Sequence, residues 1–131
     1  MSDIILARRA PITDEQLNEL FTAAWPSHSG ANVAQVHARS LTWISAWHED
    51  DLVGYVNVAT DGGVHAFILD TTVHPHHQRR GIGSMLLTEA TDAARDGGAH
   101  WLHVDYEDHL DGFYRGCGFR PTKAGLIALQ P

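Results

Sequence analysis

The stretch Gln78-Arg79-Arg80-Gly81-Ile82-Gly83 constrains the fold more than any other part of the chain. It follows an apolar, β-branched run that ends at Val73, and it precedes a run of helical periodicity that begins near Ile82. Two glycines two residues apart permit a sharp turn and let the backbone come close to a ligand. The first N–H groups of the helix behind them have no intrahelical partner, and the helix dipole adds partial positive charge there. With Arg79 and Arg80 leading in, strand, turn and helix describe a socket for phosphate. The motif is not a dinucleotide-binding fingerprint, because Leu86 stands where the third glycine belongs. Nor is it a P-loop, because Gly-Lys-Ser/Thr is missing.

The rest of the chain supplies a scaffold for that socket. Residues 4–8 form an apolar run read as a strand, closed by Pro11. Thr13-Asp14-Glu15-Gln16 fits a capping box, and Leu17, Leu20, Phe21 and Ala24 give the helix behind it one apolar face; Pro26 ends it. A second, short helix is expected over 32–39. Residues 41–48, 52–59 and 64–73 read as three strands of an antiparallel meander, turned by Glu49-Asp50-Asp51 and Asp61-Gly62-Gly63. The long helix carries Ile82, Leu86, Ala90, Ala93 and Gly97 on one stripe and stops at Gly97-Gly98. A strand over 100–106 then favours a parallel, right-handed crossover. A short helix over 110–115, capped by Asp108, and two last strands over 119–122 and 125–129 complete the reading. The expected class is α+β: a mixed, mostly antiparallel twisted sheet flanked by helices, one domain over 1–131. Its parallel strands splay at the glycine loop, where a sheet crevice receives a ligand.

Charge and cysteine content narrow the partners. The 131 residues carry a formal charge of −7, which repels nucleic acid and anionic membrane at long range. The two loop arginines are thus a local exception rather than part of a basic face. Neither a nucleic-acid nor a membrane partner is expected: no apolar run approaches the ~20 residues that span a bilayer. Cys117 is the single cysteine, so no intrachain disulfide forms, which suits a reducing compartment. The first ten residues lack the apolar core of a signal peptide, and a cytoplasmic location is expected.

The loop Gln78-Arg79-Arg80-Gly81-Ile82-Gly83 resembles the Gln/Arg-x-x-Gly-x-Gly/Ala signature of the GNAT superfamily of N-acetyltransferases. Val73-His74-Pro75 resembles the Val-x-Pro that precedes it in that family. Phe113-Tyr114-Arg115-Gly116-Cys117-Gly118-Phe119 resembles the second signature, Tyr-x-x-x-Gly-Phe after a short helix, and Leu52-Val53-Gly54 resembles the strand start before the cofactor strand. Order and spacing agree over roughly residues 41–131.

The resemblance implies an acetyl-CoA-dependent N-acetyltransferase that moves an acetyl group directly to a primary amine of a small molecule or protein. It assigns cofactor binding to Thr72, Val73, Gln78, Arg79, Arg80, Gly81, Ile82, Gly83 and Ser84, with Gly81 and Gly83 keeping a Cβ away from the phosphate. Tyr114 matches the family's general acid. The base is open among Asp70, Asp105, Glu107 and His109, or a water chain. The family often has asparagine near Glu107 and a small residue near Leu110; this chain has Glu107-Asp108-His109-Leu110. Trp25 is expected to wall the acceptor pocket. His74, His76 and His77 lack the Cys or carboxylate that would complete a metal set, so no metal is expected. Cys117 has no surrounding Cys–His pattern and is not expected to be a nucleophile. A homodimer is the assembly that analogy allows. The alternative class is a CoA-binding sensor or regulatory module without turnover.

Overall fold

The β-branched and aromatic runs form one five-stranded sheet in the computed structural model, which describes residues 3–28 and 30–131. The strands are β1 (Ile4–Arg8), β2 (Ser40–His48), β3 (Asp51–Thr60), β4 (His65–Val73) and β5 (Trp101–His103), in the spatial order of the sequence. β1 to β4 are antiparallel neighbours, and β4 and β5 run parallel through Ala66 opposite Leu102. Four helices accompany them: α1 (Asp14–Ala24), α2 (Val33–His37), α3 (Ile82–Asp96) and α4 (Asp111–Gly116).

Local chemistry fixes several of these elements. The capping box forms as expected: Gln16 N–H donates to Thr13 Oγ1 at 3.0 Å, and Thr13 N–H donates to Gln16 Oε1 at 2.9 Å. α2 begins in the same way, with Asn32 Oδ1 accepting from Gln35 N–H at 3.0 Å. The long helix spans the residues its apolar stripe marks out, and Ile82, Leu86, Leu87, Ala90, Ala93 and Ala94 are all buried.

Two cores lie on opposite faces of the sheet. α3 packs its stripe on Ile44, Ala46, Val56, Val58, Ala66 and Ile68. α1 and α2 lay Leu17, Leu20, Phe21 and Val33 on Trp43, Leu52 and Tyr55. The middle strands β2 and β3 are therefore buried on both sides over long stretches, and their polar–apolar alternation is weak. Gly54 sits at the closest approach of the two layers. A Cβ there would lie 3.0 Å from Ile82 Cγ2 and 3.1 Å from Leu86 Cδ1. This glycine lets the first turn of α3 rest directly on β3.

Three expectations need correction. β5 holds only Trp101–His103, because its pairing with β4 stops at Phe67 opposite His103 and the chain beyond leaves the ladder. Residues 119–122 and 125–129 form no strands. Pro121 has no N–H for a ladder, and the apolar run after it lies unpaired with any strand. Asp108 does not cap α4. It lies in a single 3₁₀ turn, Asp108–Leu110, and the helix starts from Leu110 with no side-chain cap.

Candidate functional site

The site begins where the parallel strands part. β4 stays paired with β3 as far as Val73, opposite Gly54, but with β5 only as far as Phe67. Among the described residues the β5-facing edge of Leu69–Val73 has no strand partner, which leaves backbone groups available to an extended ligand. In the same stretch β4 is bulged: Tyr55 faces Thr72 and Asn57 faces Leu69, so Asp70 and Thr71 share one position opposite Val56. Asp70 takes up the extra residue in a left-handed conformation, φ +59°. Asp tolerates that region better than most residues, although the sequence gives no sign that it must adopt it.

The glycine loop closes the end of this opening. His74 N–H donates to Val53 O at 2.8 Å, which ties the loop to β3, and Pro75–His77 make one 3₁₀ turn whose start is capped by His74 Nδ1. Arg79 and Gly81 are both left-handed, φ +66° and +76°. No side chain caps α3, and Met85 N–H is the first to reach back, to Gly81 O at 3.0 Å. The N–H groups of Ile82, Gly83 and Ser84 therefore face outward at the positive end of the helix dipole. A Cβ at Gly81 would meet nothing within 4 Å, so this cradle has room for a ligand atom. Gly83 has a packing role beside the expected one. A Cβ there would lie 3.1 Å from Phe113 Cζ, so its hydrogen makes room for α4.

That contact brings the second signature to the socket. Tyr114, next to Phe113, is buried at 6% exposure. Its ring stacks on Tyr106 at 4.6 Å and meets Phe119 edge-on. Burial raises the Tyr114 pKa, opposed by the nearby Thr71 hydroxyl. Thr71 Oγ1 makes no hydrogen bond of good geometry and is a buried, unpartnered polar atom at the β4 bulge. Tyr106 was not singled out from the sequence. Its hydroxyl donates to Asp111 Oδ1 at 2.8 Å, and Arg115 Nε donates to the other carboxylate oxygen at 2.7 Å. This brace fixes the ring against which Tyr114 lies.

The carboxylate candidates separate. Asp70 reaches solvent, yet protein crowds it on most sides. The lost solvation raises its pKa, with His28 opposing. Its charge in turn adds to the burial that pushes the Tyr55 phenol up. Glu107 precedes the open 3₁₀ turn and His109 lies in it; they are 83% and 71% exposed and lie 3.5 Å from each other. Asp105 is exposed as well. Of these groups, only Asp70 sits on the bulged strand beside the splay.

Other expected residues take quieter places. Trp25 closes α1 and stacks on Phe21 at 4.5 Å, half-buried in the α1-side core. Arg80 Nη1 donates to His77 Nδ1 at 3.0 Å, and Gln78 and Arg79 are exposed. Ser84 stands beside Cys117, whose thiol is pushed up by burial and so is held protonated. Among the described residues no group of three His, Cys, Asp or Glu side chains is placed to hold a metal ion. Nor is any helix among them long and apolar enough to cross a membrane.

Comparison with known proteins agrees with this geometry. The acetyltransferase (GNAT) family matches residues 11–119. The chain is 30% identical over 99 residues to a mycothiol acetyltransferase of Nocardia farcinica. The match takes in 71% of this chain but 33% of that protein, so the chain spans about a third of that relative's length. It is 25% identical over 131 residues to an uncharacterized N-acetyltransferase of Porphyra purpurea, covering 96% of this chain and 75% of the other. A GNAT family acetyltransferase of Streptococcus pneumoniae has a similar structure, with a TM-score of 0.80, 26% identity, and 98% and 100% of the two chains covered. An aminoglycoside N-acetyltransferase solved in complex with CoA shares the fold at a TM-score of 0.79 and 16% identity, with 99% and 96% covered.

Proposed function

The chain belongs to the GNAT acetyltransferase family, and from that premise we propose that it transfers an acetyl group from acetyl-CoA directly to a primary amine, with Tyr114 as general acid and Asp70 as general base. One observation carries this. A Cβ at Gly83 would lie 3.1 Å from Phe113 Cζ, so the socket lies against the helix turn that carries Tyr114, which supports reading the two as one site.

The residues present suit the cofactor. The outward N–H groups of Ile82, Gly83 and Ser84, the turn at Arg79 and Gly81, and the charge of Arg80 and Arg79 would hold its pyrophosphate, with Gln78 beside them. The free edge at Thr72 and Val73 would pair with its amide arm. When bound, acetyl-CoA supplies an acetyl group activated as a thioester. The chain's own residues position the reactants and handle two protons. A lysine-like amine of pKa ~10.4 costs about 4–5 kcal/mol to present neutral at pH 7, so a base has the heavier task. Asp70, raised by its lost solvation, takes that proton before the freed lone pair forms the N–C bond, and the nitrogen's second proton passes to solvent once the bond has formed. Tyr114, kept protonated by burial, gives its proton to sulfur as the C–S bond breaks. Solvent resets both groups. Glu107 and His109 are too open and too occupied with each other to be preferred.

Calorimetry with acetyl-CoA followed by a thiol-release screen over amines tests this. Binding together with amine-dependent thiol release is expected. Lack of binding at millimolar acetyl-CoA would defeat the proposal, and tight binding with no release on any amine would make the chain a sensor.

A further inference from the structure

We propose that Thr71 is a positioning residue for the general acid: its hydroxyl donates to the phenolic oxygen of Tyr114 as that oxygen gives up its proton and becomes negatively charged. The inference deepens the proposed reaction and rests on Tyr114 as its acid.

Two neighbouring threonines of β4 treat their hydroxyls differently. Thr72 Oγ1 donates to Asp70 O at 2.8 Å, so its proton is committed within the strand. Thr71 Oγ1 is shut off from solvent and has no hydrogen-bond partner among the described residues. A buried hydroxyl left unpaired lowers stability, and a valine of the same shape would avoid that loss. An unpaired buried atom that persists points to a function.

The bulge decides what Thr71 faces. Tyr55 belongs to the α1-side core, and Thr72 stands opposite it on the same face. Val73 packs on the other face, where its Cγ2 lies 3.8 Å from the position of a Cβ on Gly83. Thr71 alternates with Thr72 and so turns to the face of Val73, under α3 and α4. In an unbulged strand, alternation from Leu69, which stands opposite Asn57, would put Thr71 on the face of Tyr55 instead. The left-handed backbone at Asp70 takes up the residue that reverses the phase. It brings Thr71 to the side of the sheet on which Tyr114 is buried.

At that phenol the Thr71 hydroxyl works against its other neighbours. Burial and the Cys117 and Asp105 side chains oppose the tyrosinate, whereas Thr71 favours it. A general acid needs this in mid-transfer. Burial keeps Tyr114 protonated until it acts, but the same burial would leave its anion unpartnered. Tyr114 passes its proton to sulfur as the electron pair of the breaking C–S bond moves there, which leaves a thiol and a tyrosinate. Thr71 donates to that tyrosinate and keeps its own proton, and solvent returns a proton to Tyr114. In the free chain the contact falls short of hydrogen-bond geometry, as catalytic contacts do before the charge they serve develops.

The test uses the full chain with Thr71→Val, which keeps the shape and removes the hydroxyl, and Thr71→Ser, which restores it. The chain has three tyrosines, and with Cζ-labelled tyrosine the Tyr114 resonance is the one absent from Tyr114→Phe. Thr71→Val is expected to move that resonance more than the other two, and Thr71→Ser to return it towards the wild type. The melting temperature of Thr71→Val should equal or exceed the wild type's. With an amine that gives thiol release, kcat should fall about three- to tenfold in Thr71→Val, with KM for acetyl-CoA unchanged, and recover in Thr71→Ser. Adding Thr71→Val to Tyr114→Phe should cost no further activity. An unmoved resonance overturns the inference, as does a loss of kcat that persists in the Tyr114→Phe background. A wild type that releases no thiol on any amine defeats the acid role of Tyr114 and this inference with it. An active wild type matched by Thr71→Val defeats this inference alone.

Discussion

At the scale of the residue, Tyr114 and Asp70, the groups proposed to handle protons, owe their pKa shifts to burial rather than to charged partners. Tyr114 is held between Tyr106, Phe113 and Phe119, and that apolar enclosure keeps the phenol protonated well above neutrality. Tyr114→Phe preserves the ring packing and removes the proton. Turnover is expected to fall by roughly 10–10²-fold with acetyl-CoA affinity nearly unchanged, measured as kcat against the calorimetric Kd. Equal turnover would remove Tyr114 from the acid role. Asp70 presents the converse. Its pKa is raised in the folded chain, so ionisation there opposes folding: the cost is absent well below pH 4 and present once the folded carboxyl has ionised. Asp70→Asn keeps a side chain that tolerates the left-handed backbone and removes the charge. Its melting temperature should exceed the wild type's at pH 7, with the gap closing towards pH 3, while acetyl transfer drops. A variant that is less stable at pH 7 would show that the carboxylate is held by favourable contacts instead.

At the scale of the element, the site depends on how closely α3 can approach its neighbours. Two glycines regulate this: Gly54 under its first turn and Gly83 against α4. Gly83→Ala places a methyl group 3.1 Å from Phe113 Cζ. Either Phe113 shifts and takes Tyr114 with it, or α4 loosens. The expected result is a stability loss of about 1–3 kcal/mol in urea unfolding, together with a fall in kcat larger than the change in acetyl-CoA affinity. If affinity falls while kcat holds, Gly83 serves the phosphate and not the packing. What sequence could tell at this scale follows from the range of each interaction. Thr13 and Gln16 announce the start of α1 because both partners are three residues apart, and the loop at 78–83 is equally local. The contact of Gly83 with Phe113, and the stacking of Tyr106 on Tyr114, join segments whose meeting no local period encodes. The tail misled for a related reason. Its composition suits a strand, but a strand also needs an edge to pair with, and composition says nothing about that.

At the scale of the whole molecule, one sheet carries two cores, and only the one under α3 and α4 supports the socket. The other, under α1 and α2, contains a polar knot with its own pH dependence. His37 stacks on Trp43 at 3.6 Å and hydrogen-bonds Tyr55 at 2.8 Å, while Arg9 lies 4.8 Å over the other ring system of the stack. Burial, with Arg9 adding, lowers the His37 pKa to about 4. The unfolded chain protonates this imidazole near pH 6.5 and the folded chain resists doing so. Between those values the unfolded state binds more protons, so stability rises with pH. The contribution of His37 is fully present above about pH 6.5 and is lost as pH falls towards 4. Because solvent reaches the half-buried ring, the loss is put at about 1–2 kcal/mol rather than the full shift. His37→Phe keeps a flat ring on Trp43 but leaves the Tyr55 hydroxyl without its partner. At pH 7.5 the variant should be less stable by about 1–2 kcal/mol. On acidification to pH 5 it should lose less stability than the wild type, so that the two urea-unfolding curves converge. The other titrating groups act on both proteins alike, and the difference between the curves isolates His37. Parallel curves at both pH values would show that the imidazole takes up its proton in the folded chain as easily as in water.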